Sequence, residues 1–221
     1  MTERRSKSTF IDDPIVDYAL DHTSGPDAVQ VELRRVTAER TGARAGMQIG
    51  DDQAVLLEIL ARATGARRAV EVGTFTGASA LALARGIGPD GRLLCCDVSE
   101  EFTAVARRYW TRAGLDDRVE LRLGPAAGTL AAMPTEPHID LAFIDADKGG
   151  YPAYWNEIVP RLVPGGLVLV DNVLWDGHVV DARPDAATQA IVDFNAMVLA
   201  DDRVESMLLP LADGVTLARR L

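Results

Sequence analysis

Ala69-Val70-Glu71-Val72-Gly73-Thr74-Phe75-Thr76-Gly77 is a short strand-forming run that feeds a turn bounded by two glycines, and a helical stretch, 77–86, follows at once. Glycine at such a turn lets the backbone come close to a ligand, and the first turn of the next helix offers free N–H groups. A turn that serves packing alone would use the same residues, so both readings stand at this point. The spacing is GxxxG with an acid two residues before the first glycine, not GxGxxG. Phe75 occupies the place of the glycine that lies closest to a pyrophosphate in nicotinamide folds. A nicotinamide oxidoreductase of Rossmann type is therefore the alternative rather than the leading reading.

Outward from this turn the same texture repeats. Strands are expected at Ala69–Val72, Arg92–Asp97, Val119–Leu123, Ile139–Ile144 and Leu167–Val170, with helices at 77–86, 99–113, about 126–132, and 151–161 between them. Short apolar strands alternating with helical patterns read as βα units around a parallel sheet. After a helix near 185–199, Val204–Leu209 and Val215–Ala218 are separated by Pro210–Gly214, close enough for an antiparallel hairpin at a sheet edge. Toward the N-terminus, residues 1–12 are expected to fray. Helices are expected from Asp13-Pro14 to about His22, over about 27–41, and from Asp51 or Asp52 to about Thr64. The expectation is one doubly wound α/β domain over residues 1–221, with 1–65 a helical N-terminal cover and 66–221 the α/β core.

Acids punctuate the strand ends. Asp97 closes the second strand, where dinucleotide folds place an acid on ribose hydroxyls; it also fits a cap for the helix that follows. The acid argues against a 2′-phosphate. Phe143-Ile144-Asp145-Ala146-Asp147-Lys148 and Leu167-Val168-Leu169-Val170-Asp171-Asn172 share one form, an apolar strand and then an acid. Neighbouring strands would bring Asp145, Asp171 and Asn172 toward one point. Two carboxylates and an amide oxygen, with no His or Cys, suit Mg²⁺, Mn²⁺ or Ca²⁺. Strand-end acids also serve simply as loop caps.

Of the 23 basic residues only Lys7 and Lys148 are lysines, and the others are arginine. Arginine cannot act as a base in a protein, whereas a lysine beside a divalent cation can. Lys148 follows Asp145 by three residues, so it is the candidate base, with chance placement as the plain alternative. Trp175, in the loop after Asp171, is a candidate for stacking on a flat substrate or for packing that loop. His178 in the same loop could line a substrate mouth, while His22 and His138 read as structural or surface residues.

Composition closes off other classes. The chain has 221 residues and a formal net charge of −10, which disfavours nucleic acid and anionic membranes. No apolar run approaches the roughly 20 residues that span a bilayer. The start MTERRSKSTFIDDP lacks the apolar segment of a secretory signal, and adjacent Cys95 and Cys96 read as small strand residues in a reducing compartment. A cytoplasmic protein is expected.

With these residues in view the sequence resembles the cation-dependent O-methyltransferases that use S-adenosylmethionine, the catechol and caffeoyl-CoA types. The carriers are MQIGDDQAVLL, VEVGTFTGASALALA, LLCCD, FIDADK and LVLVDNVLWDG, and the resemblance runs from about Gly46 to Leu221. It implies a Rossmann-like, doubly wound, seven-stranded sheet with an antiparallel C-terminal hairpin. It implies a cofactor site with Glu71, Gly73, Thr74 and Ser79 around the methionine part, Asp97 on the ribose, Ala126 near the adenine, and Ile49 and Asp145 beside the cofactor. Asp145, Asp171 and Asn172 fall on its metal ligands, and Lys148 on its base. The implied reaction is methyl transfer to a hydroxyl of a vicinal dihydroxy aromatic, in a homodimer that uses the N-terminal helices. Asp176 stands where the plant caffeoyl-CoA enzymes carry Asn, so Trp175 and Asp176 are the candidate substrate contacts. The N-terminal helices do not match the basic residues those enzymes use for coenzyme A. A free catechol, hydroxycinnamate or flavonoid is thus the expected acceptor.

Overall fold

Arg68–Val72 forms β1, buried from Ala69 to Val72, and everything that positions the candidate site is built on either side of it. The structure is a computed structural model that describes residues 10–221. Residues 1–9, with Lys7 and most of the segment expected to fray, lie outside the described residues. Before β1 come α1 (Asp13–Asp21), α2 (Ala28–Thr41) and α3 (Asp51–Ala63). After it come α4 (Ala78–Gly86), β2 (Arg92–Asp97), α5 (Glu100–Arg112), β3 (Val119–Leu123), α6 (Ala126–Ala131) and β4 (Ile139–Ile144). The chain closes with α7 (Tyr151–Ile158), β5 (Leu162–Asp171), α8 (Ala186–Leu199), β6 (Val204–Leu209) and β7 (Val215–Arg220).

The seven strands form one sheet in the order β3-β2-β1-β4-β5-β7-β6. β1 to β5 are parallel, and β7 is inserted antiparallel between β5 and β6. The expected doubly wound sheet with its antiparallel C-terminal pair is therefore present. Alternate residues of the central strands feed opposite layers, which is why those strands read as continuous apolar runs. Leu93, Cys95, Leu141, Phe143 and Leu169 pack with α2 to α5. Val70, Val72, Cys96, Ile144 and Val170 pack with α6, α7 and α8.

Two features differ from expectation. β5 begins at Leu162 rather than Leu167, because Pro164-Gly165-Gly166 reads as a turn yet is carried inside the strand as an irregularity opposite Ile139–Leu141. A side chain at Gly166 would press on the carbonyl oxygens of Val163 and Ile139, at 2.9 and 3.1 Å. The second feature concerns the N-terminal helices. Leu33 and Val36 of α2 and Leu57 and Ala61 of α3 are part of the core itself, so α2 keeps no spare apolar face. Large apolar side chains stay outside on α1, Ile15 and Tyr18, and on α3, Ile59. No helix among the described residues is long and apolar enough to cross a membrane.

Leu169 lies at the centre of the sheet, opposite Phe143 on β4 and Leu217 on β7, and is 1% exposed. Leu169→Ala should lower the unfolding free energy by about 3 kcal/mol, the middle of the range for truncating a packed leucine. Urea unfolding of the two chains checks this, and an unchanged midpoint would contradict the packing described.

Candidate active site

The direction of strand order reverses at β1, whose neighbours are β2 on one side and β4 on the other. Open α/β sheets bind ligands outside the carboxyl ends of the strands at such a point. A cavity of about 870 Å³ lies there, within the range of small-molecule sites. Ile49, Gly73, Thr74 and Ser79 line it, as do Asp97 and Ala126 at the next two strand ends. Asp145, Lys148 and Asn172 meet at its other end, with Trp175 and Asp176 beside them. Glu71 and Asp171 do not reach its surface; both are buried behind it. His178 stays outside, paired with Asp181 on an exposed segment.

The turn after β1 is held by Asp97. One carboxylate oxygen accepts the Thr74 and Phe75 N–H groups at 2.9 and 2.7 Å, and the other accepts Ser99 N–H at 2.8 Å. Ser99, not Asp97, caps α5, through the Phe102 N–H. Asp97 therefore ties two turns together while still facing the cavity. The glycines at 73 and 77 answer to the chain as well as to any ligand. Both have φ near +90°. A Cβ on Gly73 would lie 1.9 Å from the Asp145 carbonyl oxygen, and one on Gly77 would lie 2.6 Å from the Ala106 Cβ. The packing reading of this turn thus holds for its glycines.

Glu71 is fully buried beneath the same turn. Its carboxylate oxygens make no well-formed hydrogen bond, although the Ser79 and Thr74 hydroxyls and the Cys95 thiol lie close enough to offset part of the burial. Burial wins and pushes the carboxyl up to about 7. The same desolvation raises the Cys96 thiol to about 11, so this cavity-lining cysteine is held as an unreactive thiol.

At the far end Lys148 organises the cluster. Its ammonium donates to Asp145 Oδ1 at 3.2 Å, Asn172 Oδ1 at 2.6 Å and the Tyr151 hydroxyl at 2.6 Å. The Tyr151 hydroxyl in turn donates a hydrogen bond to the Asp171 carbonyl at 2.8 Å, and Asp171 Oδ1 accepts the Asn172 N–H at 2.8 Å. Asp145, Asn172 and Lys148 are thus brought together as expected, with Asp171 as a buried buttress to Asn172. Among the described residues no group of three or more His, Cys, Asp or Glu side chains forms a metal cluster. The donors that meet there are the Asp145 carboxylate and the Asn172 amide oxygen; the third expected ligand, Asp171, lies buried behind Asn172 rather than beside them. A positive charge already sits between Asp145 Oδ1 and Asn172 Oδ1, so this arrangement fits a hard cation.

Four residues of the site escaped the sequence reading. Tyr151 lies three residues past Lys148, one helical turn on, a spacing that could have flagged it. Tyr154 binds Asp147 Oδ1 at 2.6 Å and fixes that acid at the cavity wall. Phe102 adds an aromatic wall, in edge contact with Phe75 at 4.9 Å and under the Arg44 guanidinium. Asp213, in the tip between β6 and β7, also lines the cavity; Asp-Gly there reads only as a turn. Backbone strain gathers in the same place. Phe75, Asn172, Trp175 and Asp176 are non-glycine residues with φ between 50° and 57°, and all four line the cavity; Ala212, at 52°, precedes Asp213.

Residues 21–221 match the protein family described as O-methyltransferase. The chain is 36% identical to "Probable caffeoyl-CoA O-methyltransferase 2" of Dictyostelium discoideum, over 94% of this chain and 91% of that one. It is 36% identical to catechol O-methyltransferase domain-containing protein 1 of Mus musculus, over 95% and 81%. The crystal structure of an O-methyltransferase from Bacillus cereus in complex with SAH superposes with a TM-score of 0.84 at 32% identity, over 94% and 97%. With the cavity, the acidic strand ends and Lys148 on one sheet edge, the protein is a member of the O-methyltransferase family. Membership selects the transferase reading over the nicotinamide one.

Glu71 gives a stability signature. Its folded carboxyl titrates near 7 against 4.5 in the unfolded chain, so the folded state keeps a proton that the unfolded state has lost. The associated stabilisation is complete below pH 4.5 and disappears as the pH rises through 7, a change of roughly 3 kcal/mol. The Tm of the ligand-free chain should fall between pH 5 and pH 8, and Glu71→Gln should remove that part of the slope. Identical pH profiles for the two chains would refute the assignment.

Proposed function

We propose that this protein transfers a methyl group from S-adenosylmethionine to one hydroxyl of a catechol-like small molecule, with a divalent cation at Asp145, Asp171 and Asn172. One observation carries the reading: Asp145 and Asn172 converge on a single positive charge at the end of the cavity. When bound, the cofactor supplies a methyl group activated on a sulfonium, and the cation supplies charge that acidifies a chelated hydroxyl. The chain does the rest. Ile49, Phe75 and Phe102 form apolar walls where a nucleoside and thioether would lie, and Asp97 faces the cavity as the ribose acceptor. Asp171 braces Asn172 from behind. Lys148 is the proposed proton acceptor, held on Tyr151 from below. Its ammonium has all three donors engaged, so the base form requires that Asp145 and Asn172 turn to another cation. Trp175 offers a flat face near the Lys148 nitrogen, 6.0 Å from its ring centroid.

Asp145, Asp147, Asp176 and Asp213 line the same end of the cavity, and among the described lining residues Lys148 is the one basic side chain to set against a coenzyme A thioester. A free catechol, hydroxycinnamate or flavonoid, each far less anionic than a coenzyme A thioester, is the better fit. A homodimer is also proposed, with the exposed Ile15 and Tyr18 of α1 as its contact, and light scattering tests it.

Catechol turnover with S-adenosylmethionine should stop in excess chelator and return with Mg²⁺, and Asp171→Ala should reproduce the chelated state. Isolated phenols should react poorly. Full activity in chelator would remove the cation from the reading, and equal rates on monophenols would remove the chelate.

Lys148→Arg retains charge but cannot release its proton. It should lower kcat by about 10²-fold with a smaller change in KM, within the usual contribution of a general base. Wild-type kcat in that variant would leave the hydroxyl to ionise without Lys148.

A further inference from the structure

Tyr151 joins the buried layer beside the sheet to the reacting end of the cavity. It opens α7, is fully buried, and its ring meets Phe194 of α8 edge-on at 5.3 Å. Its hydroxyl has two partners and a single proton. The Asp171 carbonyl can only accept, so the proton goes there, at 2.8 Å. The Lys148 ammonium can only donate, so it takes a lone pair of the same oxygen, at 2.6 Å. We propose that Tyr151 is a positioning residue that fixes the Lys148 nitrogen in place and leaves only its cavity-facing side free for the substrate proton. The inference rests on the reading of Lys148 as the base and concerns a residue outside the ligand set.

Beyond its own stem, the Lys148 nitrogen has one direction on the Tyr151 oxygen and the others on Asp145 Oδ1 and Asn172 Oδ1. Asp145 and Asn172 line the cavity, whereas Tyr151 lies behind it. In the base form the amine keeps two N–H groups and one lone pair. If the Tyr151 proton could rotate toward it, that lone pair would be spent on the phenol O–H and lost to the substrate. The Asp171 carbonyl holds the proton away. Tyr151 therefore accepts from the amine, and the lone pair is left to a cavity-facing direction. Asp145 and Asn172 cannot supply this anchor, because in the same reading both turn to the cation. The Tyr151 ring stays where Phe194 packs it, and its centroid lies 4.8 Å from the ammonium.

The test is nuclear magnetic resonance of the full chain with nitrogen-15 in its lysine side chains, combined with steady-state kinetics. The sequence has only Lys7 and Lys148, so Lys148→Arg assigns the Lys148 ammonium signal by its loss. In the wild-type chain, with no cofactor or cation added, that ammonium should exchange its hydrogens more slowly than a lysine in a short peptide. Tyr151→Phe removes one oxygen and should speed the exchange about 10–100-fold, the ratio that corresponds to one charge-assisted hydrogen bond. With S-adenosylmethionine, Mg²⁺ and a catechol, it should lower kcat about 10-fold or more, the scale of a displaced catalytic group. KM and S-adenosylhomocysteine affinity should stay nearly unchanged. On the Lys148→Arg background the same substitution should cost nothing further, because residues that act as a unit do not add. Additive losses would overturn the proposal, as would a Tyr151→Phe chain that exchanges and turns over like wild type, or one that loses S-adenosylhomocysteine as well. A wild-type ammonium that exchanges as fast as in the peptide would overturn it without any variant. Wild-type kcat in Lys148→Arg would instead reject the base itself, and the proposal with it.

Discussion

The site depends on three parallel strands ending together. Ile144 of β4 lies opposite Val72 of β1 on one side and Val170 of β5 on the other. The next residues in each chain segment, Gly73, Asp145 and Asp171, therefore arrive at one edge although about a hundred positions separate the first from the last. No local interaction could achieve this. It is enforced by burial on both faces, because sliding β4 by one residue would exchange its two faces and send each side chain into the wrong layer. The Asp145 N–H to Val72 carbonyl bond and the near-contact at Gly73 are the visible result of that locked register.

The electrostatics of the edge follow. Parallel strands that end together deliver acids that end together, and Asp145, Asp147, Asp176 and Asp213 would repel one another in a part-buried cavity. Two devices ease this. Tyr154 takes up Asp147, and Lys148 places its charge between Asp145 and Asn172. An arginine at 148 would bring a larger, planar head group into a gap that a compact ammonium fills with three bonds. The near-absence of lysine elsewhere in the chain gains a structural reason at this one position.

Much of this was legible in the residues, for identifiable reasons. Strand positions were readable because both faces are buried, and strand-end acids because an apolar run followed by aspartate marks a carboxyl edge. What the sequence could not reveal was depth. Glu71 and Asp171 have the same signature as Asp97 and Asp145, yet the first pair is buried behind the cavity and the second faces it. The alternation of a strand reports which face a side chain takes, not whether a ligand can reach it. Asp213 was hidden for another reason: its side-chain bond runs to Asp176, 37 positions away, and one-dimensional spacing carries no trace of such a bond. The N-terminal start of β5 was obscured because Pro164-Gly165-Gly166 is turn chemistry used within a strand.

The left-handed residues around the cavity carry one further consequence. Each of Phe75, Asn172, Trp175 and Asp176 holds a left-handed backbone conformation, which costs a bulky residue such as Phe75 or Trp175 about 1–2 kcal/mol, Asn and Asp less, and a glycine almost nothing. Conformational strain in this molecule is thus collected where the ligand chemistry lies. A search for sturdier descendants of this protein, blind to turnover, would be drawn first to glycine at these positions. The rim of the cavity is where robustness and chemical competence pull the sequence in opposite directions.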